Sequence, residues 1–272
     1  MKSLANRNCA EVRNPMNKEN VKQSTVDIFC EKKELEKSCL DNAISKVPWL
    51  QKFKLIEDEL QERPDFILER KKNFIGIEHF HIDMLYVDKK KHTGLARYTY
   101  NDLKTLYKKY HVKAEKNNFE SQDAKDATLE LEKIFNELID IQNKFDYNFF
   151  IKEWDRIFTK HYIRRYEYRE DKNLDKLGFL IEIRKYFKFP YMCSTNNTTI
   201  RLDSNNIPIT KDIAEYLNKF GDGVDFFIIV VKGLFDDSVS VEFFDKDKPP
   251  RAKFDNFEFR KIPGKFRFNV EK

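Results

Sequence analysis

Asp225-Phe226-Phe227-Ile228-Ile229-Val230-Val231 is the stretch that most restricts what this chain can become. Six consecutive apolar residues, β-branched and aromatic, predict a strand buried on both faces. A strand can do that only inside a sheet that is itself covered on both sides. Only 7 Gly and 8 Pro occur in 272 residues, which disfavours a loop-rich barrel and makes long helices the expected cover.

The helices can be read from their spacing. Leu35, Cys39, Ala43 and Val47, with Leu40 and Ile44 beside them, recur at helical period; Ser24 or Thr25 is a candidate cap, and Pro48 ends the helix. Residues 95–172 read as a helical block. It has one run at Leu103, Leu106, Tyr107 and Tyr110, a stronger one from Leu129 to Ile141, and a third at Trp154, Ile157, Phe158 and Ile163. Ile209 to Phe220 reads as a short helix capped by Thr210.

Strands are predicted at Gly178 to Arg184 and at Val239 to Phe244. A terminal hairpin is predicted from the alternating Phe257-Glu258-Phe259-Arg260 and Phe266-Arg267-Phe268 around Pro263-Gly264, and a polar loop from Tyr191 to Pro208. The first 23 residues read as a loosely ordered lead-in. Residues 24–272 read as a single α/β domain, a mixed central sheet flanked by helices, with the helical insertion at about 95–172.

Chemistry concentrates where two further strands are predicted, at Arg63-Pro64-Asp65-Phe66-Ile67-Leu68 and at Ile75-Gly76-Ile77-Glu78-His79-Phe80-His81-Ile82-Asp83, joined by the polar link Glu69 to Asn73. A carboxylate in an apolar strand is costly to bury unless a partner or a metal compensates it. Asp65 and Glu78 place two of them on neighbouring strands, and Glu36 flanks the apolar stripe of the first helix.

The order of a helix with Glu36, a Pro64-Asp65 strand, a Glu78 strand, a later helix and later strands resembles the PD-(D/E)XK nuclease superfamily, of restriction-endonuclease-like fold. The likeness covers mainly residues 30–83. It implies that Asp65 and Glu78 are ligands of Mg²⁺ or Mn²⁺, that Glu36 completes the site, and that the protein hydrolyses phosphodiester bonds of DNA or RNA, as in host defence or a mobile element. The sequence departs from the family at one point. A lysine is expected two residues after the glutamate, on the same strand face, and Phe80 stands there. Lys160, or less readily Lys71 or Lys72, is a candidate substitute. His79 or His81 serves if the strand bulges. Otherwise the site is a degenerate module that binds nucleic acid or a protein without cutting.

Lys160-His161-Tyr162-Ile163-Arg164-Arg165-Tyr166-Glu167-Tyr168-Arg169 interleaves cations and aromatics, a pattern suited to a phosphate backbone with stacked bases. It makes Lys160, Arg164, Arg165 and Arg169 candidate nucleic-acid contacts, against the alternative of core tyrosines beside solvated arginines. The net charge of +5 permits a polyanionic partner without demanding one.

His79-Phe80-His81-Ile82-Asp83 also has the H-x-H-x-D order of a zinc arrangement, partly resembling metallo-β-lactamase-fold hydrolases, although Met84 stands where that pattern continues with histidine. Four scattered cysteines, none in C-x-x-C spacing, argue against a cysteine-built zinc site and against a disulfide framework. No dinucleotide fingerprint, phosphate loop or nucleophile elbow occurs. No membrane span or signal segment is read, so the expected location is the cytoplasm, with a protein partner or a second copy of the chain as further candidate partners.

Overall fold

A computed structural model describes residues 20–56, 64–84, 110, 122–170, 173–185, 190–203, 206–233, 239–265 and 267. A six-stranded mixed sheet organises them, in the order β1-β2-β3-β4-β7-β8. Its first three strands, β1 (Lys54–Ile56), β2 (Phe66–Arg70) and β3 (Asn73–Asp83), form an antiparallel meander. β4 (Lys176–Lys185) runs parallel to β3, and β7 (Phe226–Gly233) parallel to β4; β8 (Val239–Asp245) returns antiparallel.

The apolar run in β7 does what its composition requires. Phe227, Ile229 and Val231 belong to one core, and Phe226, Ile228 and Val230 to the other. Helix α1 (Asn20–Lys46) covers the second face with Cys39, Leu40 and Ala43. Helices α2 (Gln122–Asn143) and α3 (Tyr147–Ile163) cover the first with Leu138, Phe150, Trp154 and Phe158. A short α4 (Arg165–Glu170) continues from α3 and precedes β4. The chain is therefore an α/β protein with a mixed sheet between helices. Among the described residues no helix is long and apolar enough to cross a membrane.

The β2–β3 hairpin sets the site. Its strands pair up to Arg70↔Asn73, so the connection shrinks to Lys71 and Lys72, both with positive φ (50° and 66°). That backbone matches the strand twist of a two-residue hairpin. At the other end β2 stops at Phe66↔Ile77, while β3 runs on to Asp83 beside β4. Among the described residues, no strand pairs with β3 past Ile77 on that side. The result is a notch at the sheet between α1 and α3.

Some expectations shift. α1 already runs at Asn20, so 20–23 are helical and Ser24 and Thr25 lie inside the helix; the rest of the lead-in falls outside the described residues. Of the run Leu103 to Tyr110 only Tyr110 is described. The stretch read as a polar loop contains β5 (Tyr191–Ser194) and β6 (Thr199–Leu202). They join β9 (Asn256–Phe259) in a second antiparallel sheet, β6-β5-β9. β9 thus pairs with β5; Phe266 and Phe268 of the expected hairpin lie outside the described residues. Helix α5 (Lys211–Leu217) begins as expected, with the Thr210 hydroxyl accepting from the Ile213 N–H at 3.3 Å.

Candidate active site

The notch gathers most of the residues that the sequence singled out. A cleft of about 500 Å³ is lined by Lys33 and Glu36 of α1, by Asp65, by Glu78, His79, Phe80 and His81 of β3, and by Arg156, Lys160, His161 and Arg164 of α3 and its end. Asp65 follows Pro64 at the bend leading into β2, and its Oδ2 accepts the backbone N–H of His79 at 2.8 Å. Glu78 is buried on β3. Its Oε1 lies 2.8 Å from His161 Nδ1, while its Oε2 is buried without a hydrogen-bond partner among the described residues. Lys33 Nζ stands 3.7 Å from Glu36 Oε2 and 4.0 Å from Asp65 Oδ1.

This crowding has an electrostatic signature. Burial first, then the charge of Glu78 and more weakly that of Glu36, push the Asp65 carboxyl up to about 7, against the pull of the His79 N–H. Lys33 is shared between Glu36 and Asp65, and among the described residues Glu78 Oε2 has no hydrogen-bond partner. An all-oxygen donor set of this kind fits a hard divalent cation such as Mg²⁺ or Mn²⁺.

The departure at Phe80 acquires a physical account. Phe80 packs edge-on against Phe158 and Phe179 and stacks on the His161 ring, with centroids 4.6 Å apart and planes 15° apart. Where the resembled family places a lysine, this chain places a ring that orients a histidine from α3. Two residues of the site were thus missed by sequence reasoning. His161 lies 83 residues from Glu78, and no local pattern announces that contact. Lys33 sits one turn before Glu36 on α1, a helical neighbour that could have been read.

His79 serves a different environment. Strand alternation turns it to the α1 face, away from Glu78 and Phe80. Its Nδ1 is 4.0 Å from Glu36 Oε1 and its Nε2 is 3.4 Å from Glu182 Oε2. Cys39, His79 and Glu182 each offer a ligand atom within 4.8 Å of the others, and all three are buried. Among the described residues, the group with metal-ligand geometry on this face is these three, not His79, His81 and Asp83; His81 is exposed. A cysteine takes part despite the absence of any paired cysteine motif. Burial opposes the charge of Glu182, but the neighbouring His79 and Arg184 outweigh it and hold the carboxyl well below the usual range. Burial, reinforced by Glu182, pushes the Cys39 thiol well up.

The cation cluster divides. Lys160 and Arg164 line the cleft, and neither side chain has a partner among the described residues. Arg165 lies over the rings of Tyr162 and Tyr166 and donates to Asp222 Oδ2 at 2.6 Å. Arg169 pairs with Asp225 and donates to Gly223 O at 3.1 Å. The structure does not bring Arg165 or Arg169 to the cleft; both join α4 to the loop before β7. Lys71 and Lys72 sit at the hairpin turn, six residues or more from Asp65, or about 20 Å along the strand.

A larger depression of about 850 Å³ beside α5, lined by residues including Lys211, Glu215, Pro249 and Arg251, gathers no buried ionisable group. No family model matches the chain, and neither a curated protein nor a solved structure shows significant similarity to it.

Proposed function

We propose that this protein is a divalent-metal-dependent phosphodiesterase acting on nucleic acid, DNA or RNA, in the cytoplasm, with Asp65 and Glu78 as its metal carboxylates. The observation that carries the reading is the pairing of these carboxylates at one notch, where among the described residues Glu78 Oε2 is buried without a hydrogen-bond partner and the cations Lys160 and Arg164 line the same cleft. The meander, the parallel β4 and the position of Glu36 on α1 agree with the resemblance to PD-(D/E)XK nucleases.

A divalent ion at this site would supply charge neutralisation for the scissile phosphate and would lower the pKa of the attacking water. Asp65 and Glu78 would hold it, with Glu36 as the third carboxylate. Lys160 and Arg164 bind the flanking phosphates from the cleft rim. Lys33 offsets part of the acidic charge. His161 handles the proton. Its Nδ1 lies 2.8 Å from Glu78 Oε1 and Phe80 stacks on the ring, so the tautomer with its proton on Nδ1 would leave Nε2 to accept a proton from water in place of the absent lysine.

The test is cleavage of plasmid, single-stranded DNA and RNA with Mg²⁺ or Mn²⁺, beside Asp65→Asn and Glu78→Gln. Cleavage that survives both changes refutes the assignment. A second reading, a nuclease-like module that binds without cutting, is favoured by one observation, the phenylalanine at position 80. Metal-independent nucleic-acid binding with no cleavage of any substrate would establish it.

A further inference from the structure

The opposite face of β3 holds a second cluster. We propose that Cys39 Sγ, His79 Nε2 and a Glu182 carboxylate oxygen bind a transition-metal ion of the Zn²⁺ class, at a site distinct from the carboxylate notch. The proposal does not depend on the reading of Asp65 and Glu78, since Glu78 and His79 project to opposite sides of the strand.

Three observations carry it. The three ligand atoms already lie within 4.8 Å of one another, and the nitrogen–oxygen pair is 3.4 Å apart. Ligands about 2.0–2.3 Å from a tetrahedral ion sit about 3.3–3.8 Å from each other, so a contraction of about 1 Å at the longest pair completes the triangle. His79 is buried, its side chain only 3% exposed, and among the described residues Nε2 has no well-formed hydrogen bond, lying 3.4 Å from Glu182 Oε2, an oxygen that Arg184 also holds at 3.1 Å. A buried ring nitrogen is expected to be satisfied, and an ion would satisfy it. Finally, Glu36 Oε1 stands 4.0 Å from the other ring nitrogen, Nδ1. That is where metal-bound histidines find the carboxylate that fixes their tautomer.

The ligand types select the ion. A thiolate and an imidazole beside one carboxylate suit Zn²⁺, or Co²⁺ as its spectroscopic substitute, and suit Mg²⁺ poorly. Binding releases the thiol proton of Cys39, because only the thiolate is a ligand. The site links α1 to β3 and β4, so an ion there ties the helix that carries Glu36 and Lys33 to the sheet beneath it.

The experiment is titration of the chelator-stripped, reduced full chain with Co²⁺ under anaerobic conditions. The expected result is a thiolate-to-cobalt charge-transfer band with tetrahedral ligand-field absorption, saturating at about one equivalent and displaced by Zn²⁺. The band is lost in Cys39→Ser and retained in Asp65→Asn. Absence of the band from the wild-type protein overturns the proposal, as does its persistence in Cys39→Ser, which would assign it to another cysteine. Should Cys39→Ser fail to fold, Glu182→Gln provides the second readout, with an affinity for Co²⁺ at least about tenfold weaker expected and an unchanged affinity contradicting the site. Nucleic-acid cleavage is not measured here, so failure of this site and failure of the notch are separable.

Discussion

Asp65→Asn should stabilise the metal-free protein while destroying its proposed function. The Asp65 carboxyl titrates at about 7 in the fold, against an ordinary value of 3.8. Between those values the folded chain holds a proton that the unfolded chain has lost. Stability therefore falls as pH rises through the window, and the full cost is present above pH 7. At about 1.36 kcal/mol per pH unit the cost is at most about 4 kcal/mol, set first by burial and then by the charges of Glu78 and Glu36. Asparagine keeps an oxygen to accept the His79 N–H and removes the charge. In EDTA at pH 8 the variant should be more stable by about 2–4 kcal/mol. At about 2–4 °C per kcal/mol, its Tm should rise by about 5–15 °C. The gain should shrink below pH 7 and vanish near pH 4. Saturating Mg²⁺ should stabilise the wild type, by about 2.7 kcal/mol at a hundredfold excess over Kd, and leave the variant unmoved. Thermal melts followed by tryptophan fluorescence, reporting on buried Trp154, measure all of this. A variant less stable than wild type at pH 8, or a gain independent of pH, refutes the carboxylate-crowding argument.

His161→Ala should lower kcat by about 10²–10⁴-fold with a smaller change in KM, and added imidazole should restore part of the rate, which a purely structural role would not allow. Lys160→Ala and Arg164→Ala should each weaken nucleic-acid binding and reduce the salt slope by about one. Arg169→Ala should leave that slope unchanged and cost about 1–2 kcal/mol of stability through its Asp225 partner, read from denaturant midpoints. Gly178→Ala should cost about 3 kcal/mol or more in urea melts, because a Cβ there would lie 1.9 Å from a buried Phe226 ring atom.

What the sequence made legible was local. The β7 run dictated a two-faced strand, and both of its faces are indeed in cores. Asp65 and Glu78 could be placed together because a short hairpin fixes their register across only thirteen positions. The contacts that complete the site are long-range. Which face of α3 meets β3 decides that His161 reaches Glu78. Which face of α1 meets β4 decides that Cys39 reaches Glu182. Neither follows from periodicity. The same holds for the arginines, since at helical spacing Arg164, Arg165 and Arg169 look alike. Asp222 and Asp225, more than fifty residues on, withdraw two of them from the cleft. Of the small β6-β5-β9 sheet only β9 was legible, in the Phe257-Glu258-Phe259 alternation; β5 and β6 are four residues long inside a polar stretch, and β9 lies over sixty residues beyond its partner β5.

Anomalous diffraction from crystals soaked in Mn²⁺ tests the central claim most directly. The account predicts a peak in the notch, bound by carboxylate oxygens of both Asp65 and Glu78 at about 2.0–2.2 Å. A peak elsewhere, or none, with Asp65 and Glu78 uncoordinated at saturating Mn²⁺, would contradict it.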